Sequence, residues 1–334
     1  MTPNRVDIRD TLTLILEKIM RLTPGKKLLV MTDTYARSRS IGYTTIEVAK
    51  FMGVEAILLT MEPLSQSGVE PPAAVAAAMK TVDVIFGLWE RSSPAHTNAR
   101  IAATNAGAKY YDFFTDLSED YLTKPITFAD LEKMKRTTDK IAEIMNKANK
   151  ATITSPYGTH LTMSLNGRIG LPLSPLTEQA ISGLLDSAET ATAPVEGSTE
   201  GVVVVDANVR GWGYLLRKPI IFEVKKGRVQ LETIKSDDRA QAERFRQLVT
   251  RDGNASNCAA ELGIGASHTA SKLLRGDYLM DFGVAGTMHI AVGRNNDIGG
   301  VVKSDVHNDL LMTGTTVKLD DITVIENGEL KVIG

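Results

Sequence analysis

The stretch Met280–Met312, MDFGVAGTMHIAVGRNNDIGGVVKSDVHNDLLM, holds two of the chain's five histidines, and its reading decides the second half of the fold. TMHIAVG is an apolar run around His289 and reads as a buried strand. In DVHNDLLM a period of two places His307 and Asp309 on one face of a second strand, and a loop with Gly299 and Gly300 in succession joins the two. Imidazole and carboxylate converging from neighbouring strands, with no cysteine nearby, form a ligand set suited to zinc, manganese, cobalt or iron(II). A His-x-Asp pair alone is more often an exposed polar face. The apolar flanks and the glycine loop turn this one towards a site.

The surroundings of that stretch are rich in strands. From Thr152, ITSPYGTHLTMSLNGR reads as a hairpin, GVVVVDANVRGWG as a buried strand and its exit, and PIIFEVKKGRVQLETIK as a hairpin turned at KKG. One helix, Asp237–Val249, interrupts, and TTVKLDDITVIENGELKVIG adds further hairpins. Two glutamates lie where loops meet strands: Glu189 in SAETATAPVEGSTEG and Glu261 at the start of ELGIG. Glu196 and Glu200 are equally available on chemistry alone, and spacing does not choose among them.

The first half alternates strand and helix. Apolar residues recur at helical spacing from Arg9 to Leu22. Then come KLLVMTD as a strand ending at Asp33, a helix over Thr45–Met52 and the strand VEAILLTM from Val54. PPAAVAAAMK reads as a helix, VDVIFGLW as a strand, Thr97–Ala106 as a helix and AKYYDFF as a strand, before the charged helix Phe128–Asn149. This pattern predicts an α/β, Rossmann-like domain over 1–150 with a mostly parallel sheet covered on both faces. An α+β, β-rich domain over 151–334 is expected to hold the metal and the catalytic groups. TYARSRSIG after the first strand has no G-x-G-x-x-G, which argues against a nicotinamide or flavin cofactor. WERSSPAHTNAR puts His96 where a strand gives way to a helix, a usual place for a ligand in such sheets.

Composition narrows the function classes. With 334 residues, 43% hydrophobic, 23% charged and a formal charge of −2, the chain reads as an ordinary globular protein with nothing to attract nucleic acid. Cys258 is the sole cysteine, which excludes an intramolecular disulfide and fits a reducing compartment. No signal peptide or membrane-length apolar run is read in the sequence. The expectation is a cytoplasmic enzyme acting on a small molecule or peptide, with no nucleic-acid or membrane partner.

Taken together and in order, TAPVEGSTEG, AELGIG, GTMHIAVG, the glycine loop and SDVHNDLLM resemble the thermophilic metalloprotease family, the group of aminopeptidase T and aminopeptidase S. SPAHTNARIAATNAG resembles the N-terminal domain of that family, so the likeness covers nearly the whole chain. It implies a two-metal site at Glu189, Glu261, His289, His307 and Asp309, and a homodimer, which base rates also favour. It further implies a hydrolase of the aminopeptidase type, cleaving a small amide or peptide with a metal-activated water whose pKa falls to roughly 7. Two departures bear on this. The peptidases carry a further glutamate shortly before the HIA histidine, where this chain has Gly283 or Val284 and Asp281 is out of register. His160 stands where many relatives carry aspartate. With the extra glutamate missing, Glu261 or Glu189 would act as ligand and base at once, or His96 or His160 would supply the base. The superfamily also resembles 2,5-dihydroxypyridine 5,6-dioxygenase, a mononuclear iron(II) ring-cleaving enzyme that shares the closing His-x-Asp. The alternative expectation is therefore iron(II) held by His307, Asp309 and His289, with Glu261 replacing a histidine of the dioxygenase.

Overall fold

The structure, a computed structural model, describes residues 6–65, 69–90, 92–95, 97–114, 119–177, 185–270, 272–276 and 281–334. The first compact unit extends to Leu131, and the second holds Glu132–Thr177 and Asp186–Gly334. None of the described helices is long and apolar enough to cross a membrane.

In the first unit, β1 (Lys27–Asp33), β2 (Glu55–Met61), β3 (Val84–Trp89) and β4 (Lys109–Phe114) form a parallel sheet in the order β2-β1-β3-β4. Helices α1 (Ile8–Leu14), α2 (Ala36–Phe51), α3 (Ala73–Met79), α4 (Asn98–Asn105) and the short α5 (Glu119–Leu122) belong to the same unit. Strand alternation sorts the core: Leu29, Met31, Ile85, Trp89 and Tyr110 pack with Val75, Met79, Ala99 and Ala103 of α3 and α4. Helix α2 begins about two turns earlier than the sequence suggests. Its first part, ARSRSIG, lies before the Thr45–Met52 helix read from the sequence, and in it Ser38 is buried with Oγ donating to the Leu88 carbonyl at 2.6 Å. Gly42 lets the helix approach β1 closely, since a Cβ there would lie 2.8 Å from Thr32 Cγ2.

The ends of this sheet are closed by the chain's own carboxylates. The amide of Ser38, in the first turn of α2, donates to Glu90 Oε1 at 3.1 Å. The amides of Asn98 and Ala99 at the start of α4 donate to Glu70. Helix starts of this kind receive phosphates in nucleotide-binding folds; here glutamates occupy them. Deeper in, Asp112 accepts from Trp89 Nε1 at 2.7 Å, from the Tyr110 hydroxyl at 3.0 Å and from Ser93. Burial pushes its carboxyl up to about 6 against those hydrogen bonds.

The second unit is mostly antiparallel, and its strands in chain order are β5 (Lys150–Thr154), β6 (His160–Ser164), β7 (Leu171–Leu173), β8 (Glu189–Thr192), β9 (Glu200–Val205), β10 (Asn208–Val209), β11 (Ile220–Lys225), β12 (Arg228–Val229), β13 (Glu261–Gly265), β14 (Met288–Gly293), β15 (His307–Met312), β16 (Thr316–Leu319), β17 (Ile322–Glu326) and β18 (Glu329–Leu330). They form an eight-stranded sheet, β12-β11-β9-β6-β5-β16-β17-β18, and a six-stranded sheet, β10-β15-β14-β13-β8-β7. Helix α6 (Phe128–Met145) belongs to this unit from Glu132 onward: the Thr138 carbonyl accepts from Thr190 Oγ1 and Thr137 Oγ1 accepts from the Gly334 amide. Helix α7 (Arg239–Val249) is capped by Asp238, which accepts from the Ala240 and Gln241 amides. It buries Ala242, Phe245 and Val249 at helical spacing, and Phe245 stacks on Phe222 of β11 at 5.0 Å. Burying that ring contributes roughly 1.5–3 kcal/mol.

Candidate metal centre

The register of the six-stranded sheet brings five residues to one face. Glu261 of β13 pairs with Ala291 of β14, and Ala291 with Asp309 of β15, so the two carboxylates flank a small central residue. His289 lies two residues before Ala291 and His307 two before Asp309, which keeps both imidazoles on that face. Glu189 of β8 pairs with Gly265 and so shares the face with Glu261, four residues away. The flat density of side chains needs one gap: a Cβ on Gly263 would lie 2.1 Å from Cε1 and Nε2 of His289. The His289 ring therefore lies across Gly263, with the edge-on ring of Phe282 at 5.2 Å on another side.

The shortest distances converge on three donors. His307 Nε2 lies 3.0 Å from Glu261 Oε2 and 3.2 Å from Asp309 Oδ1. One ligand atom from each of these residues falls within 4.8 Å of the others. An ion with bonds of about 2.1 Å sets cis ligands about 3.0 Å apart, so these spacings suit a common cation. His307 Nδ1 donates to the Arg294 carbonyl at 2.8 Å, which turns the other nitrogen towards the carboxylates, the usual outer support of a metal-binding histidine. Asp309 Oδ1 is buried and, among the described residues, has only the His307 imidazole nitrogen as a partner, while its Oδ2 is held by Arg210 at 3.2 Å. A buried carboxylate oxygen whose sole partner is an imidazole nitrogen that also faces Glu261 is the observation that a metal ion would explain. His289 Nε2 stands on the other side of Glu261, 3.4 Å from Oε1 and 3.8 Å from Glu189 Oε2.

Charge points the same way. Glu189, Glu261 and Asp309 set three carboxylates against the Arg210 guanidinium, leaving two negative charges that one divalent cation balances. Without the cation the histidines take that part. Burial opposes a charged His307, but the adjacent Asp309 and Glu261 outweigh it and push the group up to about 10. His289 is opposed by burial in the same way and pushed up to about 9, mainly by Glu261 and Glu189. Burial raises Glu189 to about 7, helped by the Glu261 and Asp309 charges. Asp309 is held well below the usual carboxylate range against its own burial, mainly by Arg210 and then the two histidines.

The other candidates fall elsewhere. Glu196 is engaged by Arg168, by Asn295 Nδ2 at 2.8 Å and by the Val301 amide, and exposed Glu200 accepts from the Lys226 amide at 2.7 Å. Asp281 accepts from the Arg275 and Gly276 amides and is thus committed to its own loop. His160 is exposed on β6 of the eight-stranded sheet, and no described hydrogen bond or ion pair joins it to the five. His96 lies outside the described residues. Arg210 is the member that sequence reasoning missed; its one signal was a cation at the exit of an apolar strand, in DANVRG.

Two outcomes follow from this geometry. Gly263→Ala is compatible with strand backbone but displaces the His289 ring, and metal affinity should fall by roughly tenfold or more; unchanged affinity and unchanged His289 ring resonances would show that the ring lies elsewhere. Histidines of ordinary pKa would compete with metal only up to about pH 7. Here the folded pKa values are raised, so their ion pairs stabilise the metal-free protein fully below about pH 6.5 and are lost as pH rises through 9 to 10. Metal binding at pH 7 must therefore release protons, and affinity should keep rising to pH 9. Calorimetry in buffers of different ionisation heat measures this, and an affinity that is flat above pH 7 contradicts it.

The chain matches the family described as NicX, 2,5-dihydroxypyridine 5,6-dioxygenase, over residues 16–332. No curated protein sequence matches it. Among solved structures, the 2,5-dihydroxypyridine dioxygenase of Pseudomonas putida KT2440 is similar with a TM-score of 0.77 and 17% identity, over 97% of this chain and 96% of that one. AmpT of Thermus thermophilus is similar with a TM-score of 0.70 and 16% identity, over 97% and 99%. At those identities the two structures establish a shared fold, a parallel sheet with helices joined to a large antiparallel part. The family match corrects the order of the sequence expectations: the dioxygenase likeness precedes the peptidase one. The chain belongs to the 2,5-dihydroxypyridine 5,6-dioxygenase family.

Proposed function

We propose that the protein is a mononuclear iron(II) dioxygenase that opens a hydroxylated, nitrogen-containing aromatic ring. The observation that carries this reading is the family match over residues 16–332 together with the His307–Asp309 pair at metal-ligand spacing. In such a reaction both atoms of one O2 enter the product and no external reductant is needed. Bound iron(II) would supply the Lewis-acidic, oxygen-reactive centre. His307 and Asp309 would hold it, with Glu261 as the third ligand in place of a second histidine. Arg210 keeps Asp309 ionised and turned so that Oδ1 faces His307. Glu189, which burial brings to about 7, would take the proton of a ring hydroxyl, and a ring so deprotonated is easier to oxidise.

One feature favours a second reading, an amide hydrolase. Glu261 stands between both histidines, 3.0 Å from one and 3.4 Å from the other, an arrangement that suits a carboxylate shared by two ions. Against it, Gly283 and Val284 stand where the resembling peptidases carry a further glutamate, and Asp281 is spent on backbone amides.

The test is anaerobic purification, loading with iron(II), zinc, manganese or cobalt, and assay of each form with 2,5-dihydroxypyridine and with leucine p-nitroanilide. The proposal expects oxygen uptake equal to ring loss in the iron form, reduced at least about a hundredfold by His307→Ala. Amide cleavage by the zinc, manganese or cobalt form with no oxygen uptake by the iron form would establish the hydrolase instead.

A further inference from the structure

The second unit contains a cleft of about 290 Å³ away from the five residues above. It is lined by Lys133 and Thr137 of α6, Ser267 and Lys272 of the segment after β13, Val284, and Ile333 beyond β18. None of Glu189, Glu261, His289, His307 or Asp309 reaches it.

We propose that this cleft is a second binding site, for a small carboxylate carrying an apolar body. The charge is unbalanced. Lys133 is half-buried and, among the described residues, has no hydrogen bond or ion pair; its neighbour Lys135 already holds Asp139 at 2.7 Å. Lys272 is likewise unpaired among the described residues, and the one carboxylate on the lining, Glu329, is taken by Lys331 at 3.1 Å. Two ammonium groups on one concave surface with no carboxylate of their own attract an anion, and a lysine binds a carboxylate oxygen as a compact point charge. Thr137 and Ser267 add hydroxyls. Apolar groups share the wall with His268: Val284 is buried beside the cleft, and Ile333 is 53% exposed, so an aliphatic or aromatic body would cover surface now facing water. The volume lies at the lower end of the range for small-ligand pockets and admits a single substituted ring or a short acid.

The probe is benzoate, with benzamide and inorganic phosphate as controls, titrated calorimetrically into the full chain and into a Lys133→Gln/Lys272→Gln variant whose folding is checked by circular dichroism. His307→Ala is titrated in parallel, so that a failure of the metal-centre reading does not decide this one. The proposal expects benzoate to bind wild type and His307→Ala alike. It expects the double lysine variant to bind at least about tenfold more weakly, equivalent to 1.4 kcal/mol, with benzamide and phosphate weaker than benzoate by a similar factor. No binding of benzoate up to roughly 10 mM, a dissociation constant worth only about 2.7 kcal/mol, would overturn it. So would loss of binding in His307→Ala, full binding by the lysine variant, or equal binding of phosphate or benzamide.

Discussion

Three carboxylates share one buried face of the six-stranded sheet, and the structure around them is arranged to make that tolerable. Like charges at this density repel, and burial removes the water that would screen them. Arg210 offsets one from the strand edge, and the two imidazoles, drawn far above their ordinary pKa, offset the others when no metal is bound. A divalent cation replaces those protons with one fixed charge. The sheet can hold it because Ala291 leaves space between Glu261 and Asp309 and Gly263 leaves space beneath His289.

The parts of the site that obey a local period were legible in the sequence. His307 and Asp309 share a face because they are two apart, and the apolar flanks of His289 place it in a buried strand. What joins the strands was not legible. Glu189, Glu196 and Glu200 are indistinguishable until β8 is set in register against β13, with Glu189 opposite Gly265. Arg210 reaches Asp309 across 99 positions of chain through a two-residue strand whose pairing no local pattern announces. Helix α2 shows the same limit in the first unit: the sequence pattern shows it only from Thr45, and the contacts of Ser38 with Leu88 and the close approach of Gly42 to Thr32 come from tertiary packing.

The same face admits more than one arrangement of metal ligands. A His-x-Asp pair on one strand with an acidic residue on the next supplies a compact set for one ion, and a second histidine and glutamate beyond Glu261 offer room for more. Which chemistry results depends on the donors around that pair, and here Glu261 is shared between the two halves. The family match over residues 16–332 places the chain in the 2,5-dihydroxypyridine 5,6-dioxygenase family, while its donor set is richer in carboxylate than two histidines and one acid.

The most direct test of the central claim is anomalous diffraction at the iron edge from crystals grown with iron(II) under anaerobic conditions. The account predicts a single strong peak within about 2.3 Å of His307 Nε2, Asp309 Oδ1 and a Glu261 oxygen. A peak bound only by His289 and Glu189, or no peak on this face of the sheet, would contradict it.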